Sequence, residues 1–139
     1  MDTYNEIDFE KWQMAIGKLI MACSRVEFEL LRFYQLRLPE RSYLEDSYLD
    51  RFDKAIGVSK KMFEPEIGIT QGLIEIRKIA IYTHMVAHNP VHYSSETDNW
   101  CIFNLKNGKI SVTLNDLVSI SNDAEVLSIR VAGALRIHS

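Results

Sequence analysis

The stretch that decides the fold runs Arg77-Lys78-Ile79-Ala80-Ile81-Tyr82-Thr83-His84-Met85-Val86-Ala87-His88-Asn89-Pro90. Its apolar residues keep helical spacing, it carries two histidines to its end, and Asn-Pro stops it. Pro90 forces the stop, because its ring clashes with the preceding turn and it offers no N–H. Three of the four histidines (His84, His88 and His92) fall within nine positions of one another. A site is therefore sought here first.

Upstream, Pro65-Glu66 opens this third helix, with proline tolerated in the first turn and an acid favoured by the helix dipole. Ile69, Leu73, Ile76, Ala80 and Ala87 form its core stripe. Arg77, Ile81, His84 and His88 form a neighbouring stripe, at spacings of four, three and four. A second helix is predicted from about Tyr43 to Lys61, carrying Tyr48, Leu49, Phe52 and Ile56.

The first helix is predicted from about Asp8 to Leu38, since Phe9, Trp12, Ile16, Leu19, Ile20, Cys23, Val26, Leu30, Leu31 and Tyr34 recur at threes and fours. Asp8 is its candidate N-cap, Gly17 the place where so long a helix would kink, and Pro39 its end. Glu27 sits on or beside the buried stripe. Either its carboxylate reaches solvent at the stripe's edge, or it pairs with a residue of the Arg77–His88 helix.

Downstream the character changes. Trp100–Leu105 and Lys109–Leu114 are β-prone runs flanking Lys106-Asn107-Gly108, and Asn-Gly tolerates the positive φ of a type I′ turn. A hairpin over about 100–114 follows. The last helix then starts near Leu114-Asn115-Asp116, with Asn115 as candidate N-cap and Ser121-Asn122-Asp123 as a candidate break. The fold class is all-α: a four- to five-helix bundle with a small β-hairpin inserted before the last helix, in one domain over 1–139.

Composition narrows the function. The 139 residues are 47% hydrophobic and 25% charged, an ordinary globular mixture, and a net charge of −3 argues against a broadly basic nucleic-acid binder. No apolar run approaches the roughly 20 residues needed to cross a bilayer, and the polar, acidic start is no signal peptide. Cys23 and Cys101 lack metal-ligand spacing and read as reduced core residues of a cytoplasmic protein. His84 and His88 share a helix face, but a zinc site needs three or four ligands. With only His92 and Glu27 as conceivable additions, no metal and no cofactor is expected.

Ala87-His88-Asn89-Pro90, closing an apolar helix in a small all-α domain, resembles the signature of HEPN domains (higher eukaryotes and prokaryotes nucleotide-binding). The likeness extends more loosely to Ser24-Arg25-Val26-Glu27, the hairpin and the last helix, and is specific over a few residues only. That resemblance implies a bundle that dimerises across the motif helix. The paired motifs would then cut or bind RNA without a metal.

His88 matches the family histidine, which would act as acid/base with His84 or Tyr93 assisting. The family arginine falls at Thr83 and the following polar residue at His84. Threonine has one donor and no charge, so it cannot replace a guanidinium on a phosphate. Arg77 lies about 16 Å below His88 at about 1.5 Å per residue.

The resemblance thus implies a degenerate member. Its candidate catalytic residues are His88 and His84, and its candidate binding residues are Arg77, Thr83, Asn89, Tyr93 and Glu27. It would form a homodimer through the Arg77–His88 helix and bind RNA, a nucleotide or a protein partner in a bacterial defence or toxin–antitoxin setting. Two alternatives stand beside it: an acidic interaction protein of the immunity or antitoxin type, and an active metal-independent ribonuclease. A plainer reading makes His88 only a helix terminator, facing the negative end of the dipole, and makes Tyr82, Tyr93 and Trp100 packing residues.

Overall fold

A computed structural model describes residues 9–40, 42–96, 98–103 and 111–138. Among them are four α-helices: α1 (Phe9–Arg37), α2 (Tyr48–Met62), α3 (Ile69–His88) and α4 (Leu114–His138). A three-stranded antiparallel sheet in the order β1 (Val91–Ser94), β2 (Asn99–Phe103), β3 (Ser111–Thr113) stands between α3 and α4. The all-α reading with a small β-insert before the last helix therefore holds. Asp8 and the Lys106-Asn107-Gly108 turn lie outside the described residues.

Cys101 pairs with Thr113, Ile102 with Val112 and Phe103 with Ser111, so the two predicted strands are antiparallel neighbours, in a register one residue away from the one a two-residue Asn-Gly turn sets. The sequence reading offered no strand over 91–94, yet β1 pairs along β2 from Val91↔Ile102 to Ser94↔Asn99. Pro90 accounts for the addition. It holds Asn89 extended at φ −127°, ψ 139°, so the chain leaves α3 already in strand geometry.

Elsewhere the boundaries move for local reasons. The predicted helix from Tyr43 divides into a 3-10 turn (Tyr43–Glu45) and α2, because Asp46 is extended and accepts a 2.8 Å hydrogen bond from the buried Tyr34 hydroxyl. Pro65 opens only a 3-10 turn, Pro65–Ile67. Gly68 follows at φ +80°, a value an α-helix cannot contain, and α3 restarts beyond it.

The cap of α4 is Thr113, not Asn115. Its hydroxyl accepts from the Asp116 N–H and the Asp116 carboxylate accepts from the Thr113 N–H, both at 3.2 Å, a reciprocal capping box. No break occurs at Ser121-Asn122-Asp123. The buried Ser121 hydroxyl donates back to Val118 O at 3.0 Å, within the helix.

One hydrophobic cluster joins all four helices and the sheet, with Leu19, Val26, Leu30, Phe33, Phe52, Leu73, Ile76, Ile102, Leu117 and Leu135 at its centre. Helix directions follow from cross-contacts. Thr83 meets Tyr48 and Thr70 meets Ser59, so α2 and α3 are antiparallel. Lys18 meets Asn122 and Arg25 meets Ser128, so α1 and α4 run parallel. Between α3 and α4 the approach is tight. A Cβ on Gly72 would lie 2.5 Å from Val131 Cγ2, which only glycine avoids.

Of the ten apolar residues assigned to the inner stripe of α1, Phe9, Ile20 and Leu31 are exposed. Ala87 of the α3 stripe is exposed as well.

Candidate functional site: a cleft at the end of α3

Tyr48 begins α2 and lies level with Thr83, so the last turn of α3 runs on past the start of α2. On its other side α1 continues alongside. The result is a cleft of about 250 Å³ walled by Ile20, Cys23, Ser24 and Glu27 of α1 and by Thr83, His84, Ala87 and His88 of α3, with Tyr48 also lining it. Residues three and four apart share a helix face, which is why each helix supplies a continuous wall.

His84 and His88 are both exposed, with ring centroids 4.4 Å apart and planes tilted by 42°. Glu27 faces them from α1, but its charge is already met. Its Oε1 accepts from the Tyr43 hydroxyl at 2.9 Å and from Arg51 Nη1 at 3.2 Å. Arg51 is fixed in turn, stacking 4.1 Å from the Tyr43 ring centroid and donating its Nε–H to Tyr43 O at 2.9 Å. Glu27 thus pairs neither with water alone nor with the α3 helix, but with α2 and the turn before it. The Tyr43 hydroxyl is pushed up to about 12 by burial and by the neighbouring carboxylate.

The remaining polar groups are engaged among themselves. Thr83 Oγ1 lies 2.6 Å from Ala80 O and 3.2 Å from the Tyr48 hydroxyl oxygen, and its one hydrogen is donated to either of these acceptors. Burial raises Tyr48 well above the usual phenol range. Burial likewise pushes the Cys23 thiol up to about 11, against the lowering effect of the Tyr48 hydroxyl. At neutral pH Cys23 is therefore a thiol, not a thiolate nucleophile.

The structure gathers His84, His88, Thr83 and Glu27 at one cleft. It does not bring in the other nominated residues. Arg77 is held on the α2 side by Asp53, with Nε 2.6 Å from Oδ1 and Nη2 donating to Oδ2 at 3.1 Å. The Nε contact is an ion pair without a well-aligned hydrogen bond. The Asn89 amide donates to Met85 O at 2.8 Å and so closes a free carbonyl of the last turn. Tyr93 stands on β1, edge-on to Trp100 at 5.8 Å, and His92 lies 5.0 Å from the Phe103 ring. Among the described residues no three His, Cys, Asp or Glu side chains gather as a metal-holding group, and no helix is long and apolar enough to cross a membrane.

Ser24, Tyr48 and the Arg51–Tyr43 pair behind Glu27 are the members that sequence reasoning missed. Ser24 was legible as a helical neighbour of Glu27, whereas the α2 residues reach the cleft by a helix crossing that carries no sequence signal. No family profile, curated protein or solved structure matches the chain.

Proposed function

We propose that the protein is a HEPN-like helical domain with impaired catalysis, which binds single-stranded RNA by its phosphates in the cleft between α1 and α3. The observation that carries this reading is the exposed His84–His88 pair, rings 4.4 Å apart, at the open end of α3. Two adjacent imidazoles donate to a phosphate when protonated and can pass a proton near neutral pH. The Glu27 carboxylate would repel a phosphate, but Arg51 and Tyr43 screen it.

Impairment follows from the cations. Arg77 is committed to Asp53 and Arg51 to Glu27, and Thr83 stands where the family carries its arginine. Among the described residues that line the cleft there is no guanidinium to steady the charge that develops on a phosphate during cleavage. The bacterial defence or toxin–antitoxin setting rests on the resemblance alone. An acidic interaction protein would rest on the net charge of −3 and would leave the histidine pair without a role.

The test is binding of a fluorescent single-stranded RNA, with cleavage followed on the same samples without metal. Wild type binds, and binds more weakly as salt is raised, because the contacts are to phosphates. His84→Ala with His88→Ala loses about tenfold or more in affinity, the value of one or two charge-assisted hydrogen bonds. Cleavage is absent in wild type and emerges in Thr83→Arg. Binding that the double variant leaves unchanged would refute the reading.

A further inference from the structure

Among the described residues, both hydrogen bonds to the Glu27 carboxylate, from the Tyr43 hydroxyl and from Arg51, end on Oε1. An ionised carboxylate has about four acceptor positions over its two oxygens, so Oε2 keeps its own for a ligand. The side chain is 27% exposed and lines the cleft, which puts that oxygen within a ligand's reach. Ser24, one turn earlier on the same face of α1, adds an exposed hydroxyl to the same wall.

The packing sets this acceptor a definite step from the histidines. The Tyr48 hydroxyl reaches both Cys23 and Thr83, Arg51 reaches Glu27, and Asp53 meets Arg77. Passing along α2 from Tyr48 to Asp53 therefore follows α1 from Cys23 towards Glu27 and α3 from Thr83 towards Arg77, so α1 and α3 are antiparallel. At about 1.5 Å per residue, Glu27 stands about 6 Å to one side of the Cys23–Thr83 level and His84 about 1.5 Å to the other. The resulting step of about 7.5 Å is too long for one hydrogen bond and fits two, of about 2.8 Å each, with a short ligand segment between them.

We propose that Glu27 reads the sugar of the bound strand, its Oε2 accepting from the ribose 2′-hydroxyl of the nucleotide whose phosphate rests on His84. The inference rests on the cleft's binding of RNA phosphates and adds which nucleic acid it admits. In a ribonucleotide this hydroxyl and the 3′-phosphate leave adjacent ring carbons, so a strand held by its phosphate presents the hydroxyl one short step away. Amino groups of the bases lie across the whole sugar from that phosphate. A carboxylate oxygen can only accept, and deoxyribose has no donor to offer at this position. A DNA strand would therefore cover the charged oxygen with C–H and replace none of the water it displaces. The Arg51 guanidinium, 3.2 Å from Oε1, offsets the repulsion between this carboxylate and the strand.

The test is fluorescence anisotropy with one short single-stranded RNA, its DNA counterpart, and the same RNA carrying 2′-fluoro sugars, which lack the donor. Wild type should bind the RNA about tenfold or more tightly than either of the others, the value of one charge-assisted hydrogen bond. Glu27→Gln keeps an amide oxygen for Tyr43 and Arg51 but puts an N–H donor in place of Oε2, and the gap should close to about twofold. A variant that merely unsettled the cleft would weaken all three ligands alike and leave the gap as it stands.

Two failures are distinguishable. RNA binding that His84→Ala with His88→Ala weakens, but that DNA and the fluorinated strand match, would overturn the sugar reading and leave the phosphate reading standing. So would a gap that survives Glu27→Gln. A wild type that binds none of the three strands, or binds them regardless of the histidines, would remove the phosphate reading and this inference with it.

Discussion

The two ends of α3 are built for opposite purposes. At its start Ile69, Gly72, Leu73 and Ile76 are buried, and the backbone comes so close to α4 that residue 72 has no room for a side chain. At its end His84, Ala87 and His88 are exposed along a cleft. The helical pattern is the same throughout. What differs is the neighbour: α2 lies alongside as far as Thr83 and then gives out. A cleft thus arises where a helix outruns its packing partner.

That contrast can be broken by substitution. Leu73→Ala, at a fully buried position, should cost about 2–5 kcal/mol in urea unfolding, through lost burial plus the cavity left behind. Gly72→Ala should cost about 1–3 kcal/mol, because Val131 must give way. Combining it with Val131→Ala should cost less than the two single changes added together, the mark of a direct contact. If Gly72→Ala were neutral, the close approach of α3 and α4 would be wrong.

The pH dependence sharpens the comparison from the cleft side. Cys23 rises from 9.0 to about 11 on folding and Tyr43 from 10.0 to about 12. Below pH 9 both are protonated in either state, so their contribution to stability is complete. As pH climbs from 9 through 12 the unfolded chain releases these protons first, and stability falls. The urea midpoint should therefore decline across that window, and Cys23→Ala should flatten the part of the decline between 9 and 11. At the exposed end of α3, His84→Ala and His88→Ala should shift stability by no more than about 0.5 kcal/mol. A larger loss would make them structural residues.

The inner face of α1, the core stripe of α3 and the β2–β3 pairing were legible because each is a periodicity that one buried side imposes. β1 was not, since four residues offer too short a pattern and depend on β2 for their hydrogen bonds. The apolar residues of α1 lie on both of its sides, so counting them together drew Ile20 and Leu31 into the core and left Met14, Met21 and Phe28 without a role.

At the site, His84, His88, Thr83 and Glu27 could be nominated from their helical registers. The partners that fix Glu27, Arg51 and Tyr43, could not, because they arrive from the turn before α2 and from α2 itself. Arg77 shares a stripe with the histidines, but a helix rise of about 1.5 Å per residue carries it towards Asp53 and out of the cleft.

The central claim, that the His84–His88 pair meets an RNA phosphate, is tested most directly by following the imidazole ring signals in NMR while single-stranded RNA is added. The account predicts that the His84 and His88 rings shift together and saturate, while His92, beside Phe103, and His138, in the last turn of α4, stay in place. Still signals at 84 and 88, or shifts confined to the other two histidines, would contradict it.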